Sequence, residues 1–87
     1  MNEPFVAALD AVREQLAATG HDDWARWCTT LLALARRNDA RAASRYFAAF
    51  DGEGDLGTLA QADGELAARL AVAHDAAVAF DRAARPS

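Results

Sequence analysis

Residues 63–85 read DGELAARLAVAHDAAVAFDRAAR. Within them Leu66, Leu70, Ala73, Ala77, Phe80 and Ala84 recur at spacings of four and three, which puts them on one face of a helix. Asp63 is a good N-cap for that helix, with Thr58 as the earlier alternative, and Pro86 marks its far end. Ala67, Ala71, His74 and Val78 form a second, weaker stripe beside the first. The small residues permit close approach of another helix. A helix with two lightly apolar stripes packs on two neighbours of its own bundle or on a second chain, so a homodimer through this last helix is one reading.

Working outward, the chain reads as three further helices. Pro4 suits a first helical turn, and Phe5, Leu9, Val12 and Leu16 follow as one narrow apolar stripe. Gly20 ends that helix as a residue that accepts positive φ. Asp22 or Asp23 is the expected cap of the second helix. Its Trp24, Trp27, Cys28, Leu31, Leu34 and Ala35 lie within about 120° of arc. Two tryptophans one turn apart make it the expected central helix. Asn38-Asp39 is a stop and restart, and a short third helix over about 40–50 turns Ala43, Tyr46, Phe47 and Phe50 inward and Arg41 and Arg45 outward. A glycine-rich stretch, Asp51-Gly52-Glu53-Gly54-Asp55-Leu56-Gly57, reads as a loop anchored by Phe50, Leu56 and Leu59, with Leu59 in a short turn. The expected fold is therefore all-α. It is a small four-helix bundle with a short third helix and an anchored loop between helices three and four, one domain over residues 1–87.

Composition agrees. The 87 residues include 24 Ala, 9 Leu and 4 Val but no Ile, and such scarcity of β-branched residues favours helix over sheet. A chain of this length buries a single core. One cysteine, Cys28, excludes an internal disulfide and fits a reducing, cytoplasmic setting. No run of about 18 uncharged apolar residues argues for a membrane span. The net charge is −4, so nucleic acid is not an expected partner. That charge is segregated: residues 1–23 carry −4, residues 26–45 carry +4 and residues 51–65 carry −5.

Few residues point to chemistry. The doublets His21-Asp22 and His74-Asp75 suggest metal-linked or nucleotide-linked hydrolysis using His21, Asp22 and His74, but such a site needs more ligands converging on one ion. The acidic loop resembles the start of a calcium loop, yet its sixth and twelfth places hold Leu56 and Ala62 instead of Gly and Glu. Cys28 falls on an apolar face with no base beside it in its helix. The sequence has no phosphate-binding loop and no dinucleotide fingerprint. These observations favour a protein that is not an enzyme and needs no cofactor.

Trp24-Ala25-Arg26-Trp27, Asn38-Asp39 and Phe50-Asp51-Gly52-Glu53-Gly54-Asp55-Leu56-Gly57-Thr58-Leu59 together resemble a family of small bacterial helical proteins. In that family a W-x-x-W helix leads to a loop like F-G-G-M-G-S-[FL]-N-D-L. The chain departs from the pattern at Asp51, Glu53 and Asp55, which stand for Gly, Met and Ser, and at Gly57-Thr58, which stand for Asn-Asp. The family has no established activity. The resemblance implies a helical fold and a bacterial origin, at a size like that of immunity or accessory proteins.

The functional expectation is a helical interaction protein. Asp51, Glu53, Asp55, Asp63 and Glu65 would face a basic protein partner, and Arg41 and Arg45, one turn apart, form a second charged candidate surface.

Overall fold

The computed structural model describes residues 2–50 and 56–84, all of whose regular elements are helical. They are α1 (Glu3–Ala18), α2 (Asp22–Arg36), α3 (Arg41–Ala48), α4 (Leu56–Ala62) and α5 (Gly64–Ala84). Asp51, Glu53 and Asp55, with the glycines between them, lie outside the described residues.

α1 is the central helix. It packs against both α2 and α5, and α3 bridges α2 and α5 from another side, while α4 lies on α5. Phe5, Leu9, Val12 and Leu16 are all buried, as their spacing implies, and Ala8 joins them. The expectation of a central α2 is corrected here. Trp24 and Trp27 remain half-buried at its edge, while Cys28, Leu31, Leu32, Leu34 and Ala35 enter the core. α1 takes the middle because its buried stripe of Phe5, Ala8, Leu9, Val12 and Leu16 packs against both α2 and α5.

Two turns fix the order of the first three helices, and both are Schellman closures. Gly20 has φ +83°, the His21 N–H donates to the Leu16 carbonyl at 2.9 Å, and the Gly20 N–H donates to the Ala17 carbonyl at 3.2 Å. Asn38 repeats this with φ +56°: the Asp39 N–H donates to the Leu34 carbonyl at 3.0 Å and the Asn38 N–H to the Ala35 carbonyl at 3.0 Å. The first closure leaves His21 alone before the next helix. So His21 occupies the N-cap position of α2, without a side-chain cap bond, and Asp22 and Asp23 sit inside its first turn. Their negative charge still suits that end of the helix dipole.

The expected four helices become five among the described residues, because Leu56, Gly57 and Leu59, expected in a loop and a short turn, belong to a helix of their own. α4 occupies Leu56–Ala62, and Asp63 restarts the chain as α5. Asp63 Oδ1 accepts from the Glu65 N–H at 3.1 Å and the Leu66 N–H at 3.2 Å, the capping role its sequence position suggests. Leu56 is fully buried and its N–H donates to the Ala49 carbonyl, so the flanks of the acidic segment meet. Leu66, Leu70, Ala73, Ala77 and Phe80 complete the buried stripe of α5.

Candidate functional site

Tyr46 organises the most distinctive surface. Its side chain is fully buried, and its hydroxyl donates to the Leu70 carbonyl at 3.1 Å. Burial pushes the pKa of that phenol upward. Other rings surround it. Trp27 stacks on it with centroids 6.3 Å apart, Phe47 and Phe50 meet it edge-on at 5.5 and 5.3 Å, and Trp24 extends the row through Trp27 at 5.3 Å. Phe5 closes the inner side, edge-on at 6.0 Å, and itself touches Phe80.

The chain has seven aromatic residues. Phe5, Tyr46 and Phe80 are buried, but Trp24, Trp27, Phe47 and Phe50 are all half-buried. The result is an aromatic margin running from the start of α2 to the end of α3. Spacing alone marks Phe47 and Phe50 as inward-facing. They do pack on the core, while keeping one side toward water.

His74 belongs to this margin. Its ring lies 5.2 Å from that of Phe47, edge-on, and 6.3 Å from that of Tyr46. Of the second stripe of the last helix, His74 therefore serves the contact with α3, and Ala67 and Val78 are half-buried. His21 stands elsewhere, at the turn between α1 and α2. The structure thus does not bring His21, Asp22 and His74 together. Among the described residues no group of three or more His, Cys, Asp or Glu is placed to hold a metal ion.

Asp63 and Glu65, the candidate acidic residues among the described ones, have structural roles. Asp63, besides capping α5, accepts from Gln15 Nε2 through Oδ2 at 2.9 Å, tying α1 to α5. The Gln15 bond is the largest cause of its lowered pKa, followed by the N–H of Leu66. Glu65 accepts from Arg69 Nε at 2.9 Å, and Arg69 Nη1 donates to the Ala11 carbonyl at 2.7 Å. Both carboxylates thus brace the α1–α5 seam.

The basic stretch is partly neutralised from within. Asp39 accepts from Arg41 Nη2 at 2.6 Å and lies 3.8 Å from Arg37, and Asp23 pairs with Arg26. The bond from Arg41 is the first cause holding the Asp39 carboxyl down at about 2. Of the two predicted arginines, Arg41 is therefore engaged, whereas Arg45 is exposed with no ion pair among the described residues.

Two further features went unread in the sequence. Asn2 Nδ2 donates to the Ala35 carbonyl at 3.0 Å and the Arg36 carbonyl at 3.2 Å, closing the end of α2 from the start of α1. A cavity of about 330 Å³ lies beside it, lined by Asn2, Asn38, Phe80, Ala83 and Ala84. Cys28 is fully buried, and desolvation pushes its thiol up to about 12. No helix among the described residues is long and apolar enough to cross a membrane.

Comparison of the chain with protein-family models, with curated proteins and with solved structures finds no match in any of the three.

Proposed function

We propose that this chain is a non-catalytic helical domain that binds a basic protein partner, in the manner of an immunity or accessory protein. The aromatic margin of Trp24, Trp27 and Phe50 seats the partner's apolar side chains. The carboxylates of Asp51, Glu53 and Asp55, which follow Phe50 directly in the sequence, meet its positive charge. One observation carries the reading. Four of seven aromatic side chains are left half-buried in a single connected row, in a domain small enough to need every large apolar group for its core. Aromatic residues with one side exposed are the usual anchors of protein interfaces, and a charged rim adds orientation and association rate.

The reactive side chains support the same reading by their surroundings. Cys28 is held as an unionised thiol in the core, His74 packs edge-on against the Phe47 ring, and Asp63 accepts three structural hydrogen bonds.

The products of the genes flanking its own form a defined set of candidates. Immobilised wild-type chain should retain one of them. A triple variant, Asp51→Asn, Glu53→Gln and Asp55→Asn, and a separate Trp24→Ser variant should each retain at least about tenfold less. The triple variant should melt at the wild-type temperature. Equal retention by wild type and both variants would overturn the proposal.

A further inference from the structure

α5 also carries a second pattern, on the side away from its buried stripe. Glu65, Ala68, Val72, Asp75, Ala79 and Arg82 are all exposed, and they follow one another at spacings of 3, 4, 3, 4 and 3. That is the heptad spacing of a helix that packs along one partner helix. Val72 sits in the middle of the seam and is 63% exposed, a large apolar side chain given to water. Asp75 and Arg82 have no ion pair among the described residues. Glu65 accepts from Arg69 through Oε1, which leaves its other oxygen without a partner among the described residues.

The seam is symmetric in spacing and opposite in charge about its midpoint, which falls between Ala73 and His74. Ala68 and Ala79 are equally distant from that point, and so are Glu65 and Arg82. A parallel partner of the same sequence would set Glu65 against Glu65 and Arg82 against Arg82. An antiparallel partner sets Glu65 against Arg82 at both ends, Ala68 against Ala79, and Val72 beside Asp75. Like charges facing each other destabilise, and opposite charges at such positions set orientation.

We infer that α5 pairs with α5 of a second copy of this chain, antiparallel, through this seam. The paired alanines let the two backbones approach closely, and the Val72 side chains of both copies fill the centre. The two Asp75 carboxylates lie about 4.5 Å apart along the axis in this register, three residues at 1.5 Å each. Their repulsion weakens the pair. With one valine and two alanines at the contact of each copy, the interface falls below the roughly 1,200 Å² of a stable one, so the dimer is weak and reversible. This face is distinct from the aromatic margin, which lies at α2 and α3. The inference does not depend on the proposed partner.

Analytical ultracentrifugation of the whole chain, from about 1 µM to about 1 mM, tests it. Wild type should show a reversible monomer–dimer equilibrium. Val72→Arg should weaken association at least about tenfold with its melting temperature unchanged, since that side chain is exposed in the monomer. Asp75→Asn should strengthen it, which mere loss of a contact would not do. Arg82→Glu alone and Glu65→Arg alone should each weaken it, and mixing these two variants should restore a dimer. A wild type that stays monomeric throughout, with the face left for some other molecule, would overturn the inference. So would a dimer indifferent to Val72→Arg, or one that Arg82→Glu leaves as strong as wild type, which is the behaviour of a parallel pair.

Discussion

The hydroxyl of Tyr46 crosses from α3 to α5 and donates to the carbonyl oxygen of Leu70, 3.1 Å away, with no part of the tyrosine side chain exposed. That carbonyl already serves the backbone ladder of α5, so removing the hydroxyl orphans nothing. Tyr46→Phe should therefore cost about 1 kcal/mol, the ordinary net worth of one hydrogen bond. Tyr46→Ala removes the ring on which Trp27, Phe47 and Phe50 lean and should cost about 3–5 kcal/mol. Urea unfolding followed by circular dichroism separates the two. A Tyr46→Phe cost near that of Tyr46→Ala would show that the hydroxyl, not the ring, holds α3 in place.

Acid should loosen the α1–α5 seam. The folded-state pKa of Asp63 is lowered, chiefly by Gln15, and that of Asp39 is brought to about 2 by Arg41. A carboxyl whose pKa is depressed on folding contributes stability that is fully present above its unfolded value near 3.8. That contribution is lost as pH falls through the folded value. Stability should be insensitive to these two groups from neutral pH down to about 5, then fall toward pH 2. Asp63→Asn keeps a capping oxygen but removes the titration, so its melting temperature should vary less than that of wild type across this window. An identical acid profile would show that Asp63 is not among the groups responsible.

The two Schellman turns are unequal in sequence but alike in geometry. At Gly20 a Cβ would meet nothing within 4 Å, so the cost of Gly20→Ala is conformational alone. It should be about 1 kcal/mol, and Asn38→Ala should cost a similar amount, because both positions require positive φ. Asn38→Gly should be neutral or mildly stabilising. Thermal melts of the three variants check this, and a stabilising Gly20→Ala would contradict the left-handed turn.

Cys28 should ignore thiol reagents while the chain is folded. Its thiol is buried and pushed up to about 12 by desolvation, so almost no thiolate exists near neutral pH. Labelling with an aromatic disulfide at about pH 8 should proceed at the rate of unfolding and accelerate with urea in step with it. Rapid labelling of the native chain would mean that the α1–α2 core opens without global unfolding.

Much of this architecture is written locally. The stripe from Phe5 to Leu16, the breaks at Gly20 and Asn38 and the cap at Asp63 each depend on residues a few positions apart, and the structure keeps all of them. α4 could not be read in the same way. It contains Gly57, spans seven residues, and is held by burial of Leu56 and packing of Leu59 rather than by helix propensity. The central position of α1 was hidden for a related reason. Two tryptophans look like a core in a linear pattern, and only the tertiary arrangement leaves them at an edge. For the candidate surface, spacing located Trp24, Trp27, Phe47 and Phe50 but could not reveal their shared contact with one buried tyrosine. Nor could it show that Asp63 is engaged by Gln15, 48 residues away on another helix, whereas the Glu65–Arg69 and Asp39–Arg41 pairs are local.

Trp24 and Trp27 are the two tryptophans of the chain, and both lie on the surface proposed to hold a basic partner. Incorporating 5-fluorotryptophan gives two fluorine resonances that report on that surface alone. Titration with the partner retained by the immobilised chain should shift both resonances, saturating at one partner per chain, and the Asp51→Asn, Glu53→Gln, Asp55→Asn variant should require at least about tenfold more partner for the same shift. Binding that saturates by sedimentation while both resonances stay where they were would place the partner elsewhere and contradict the aromatic margin as its seat.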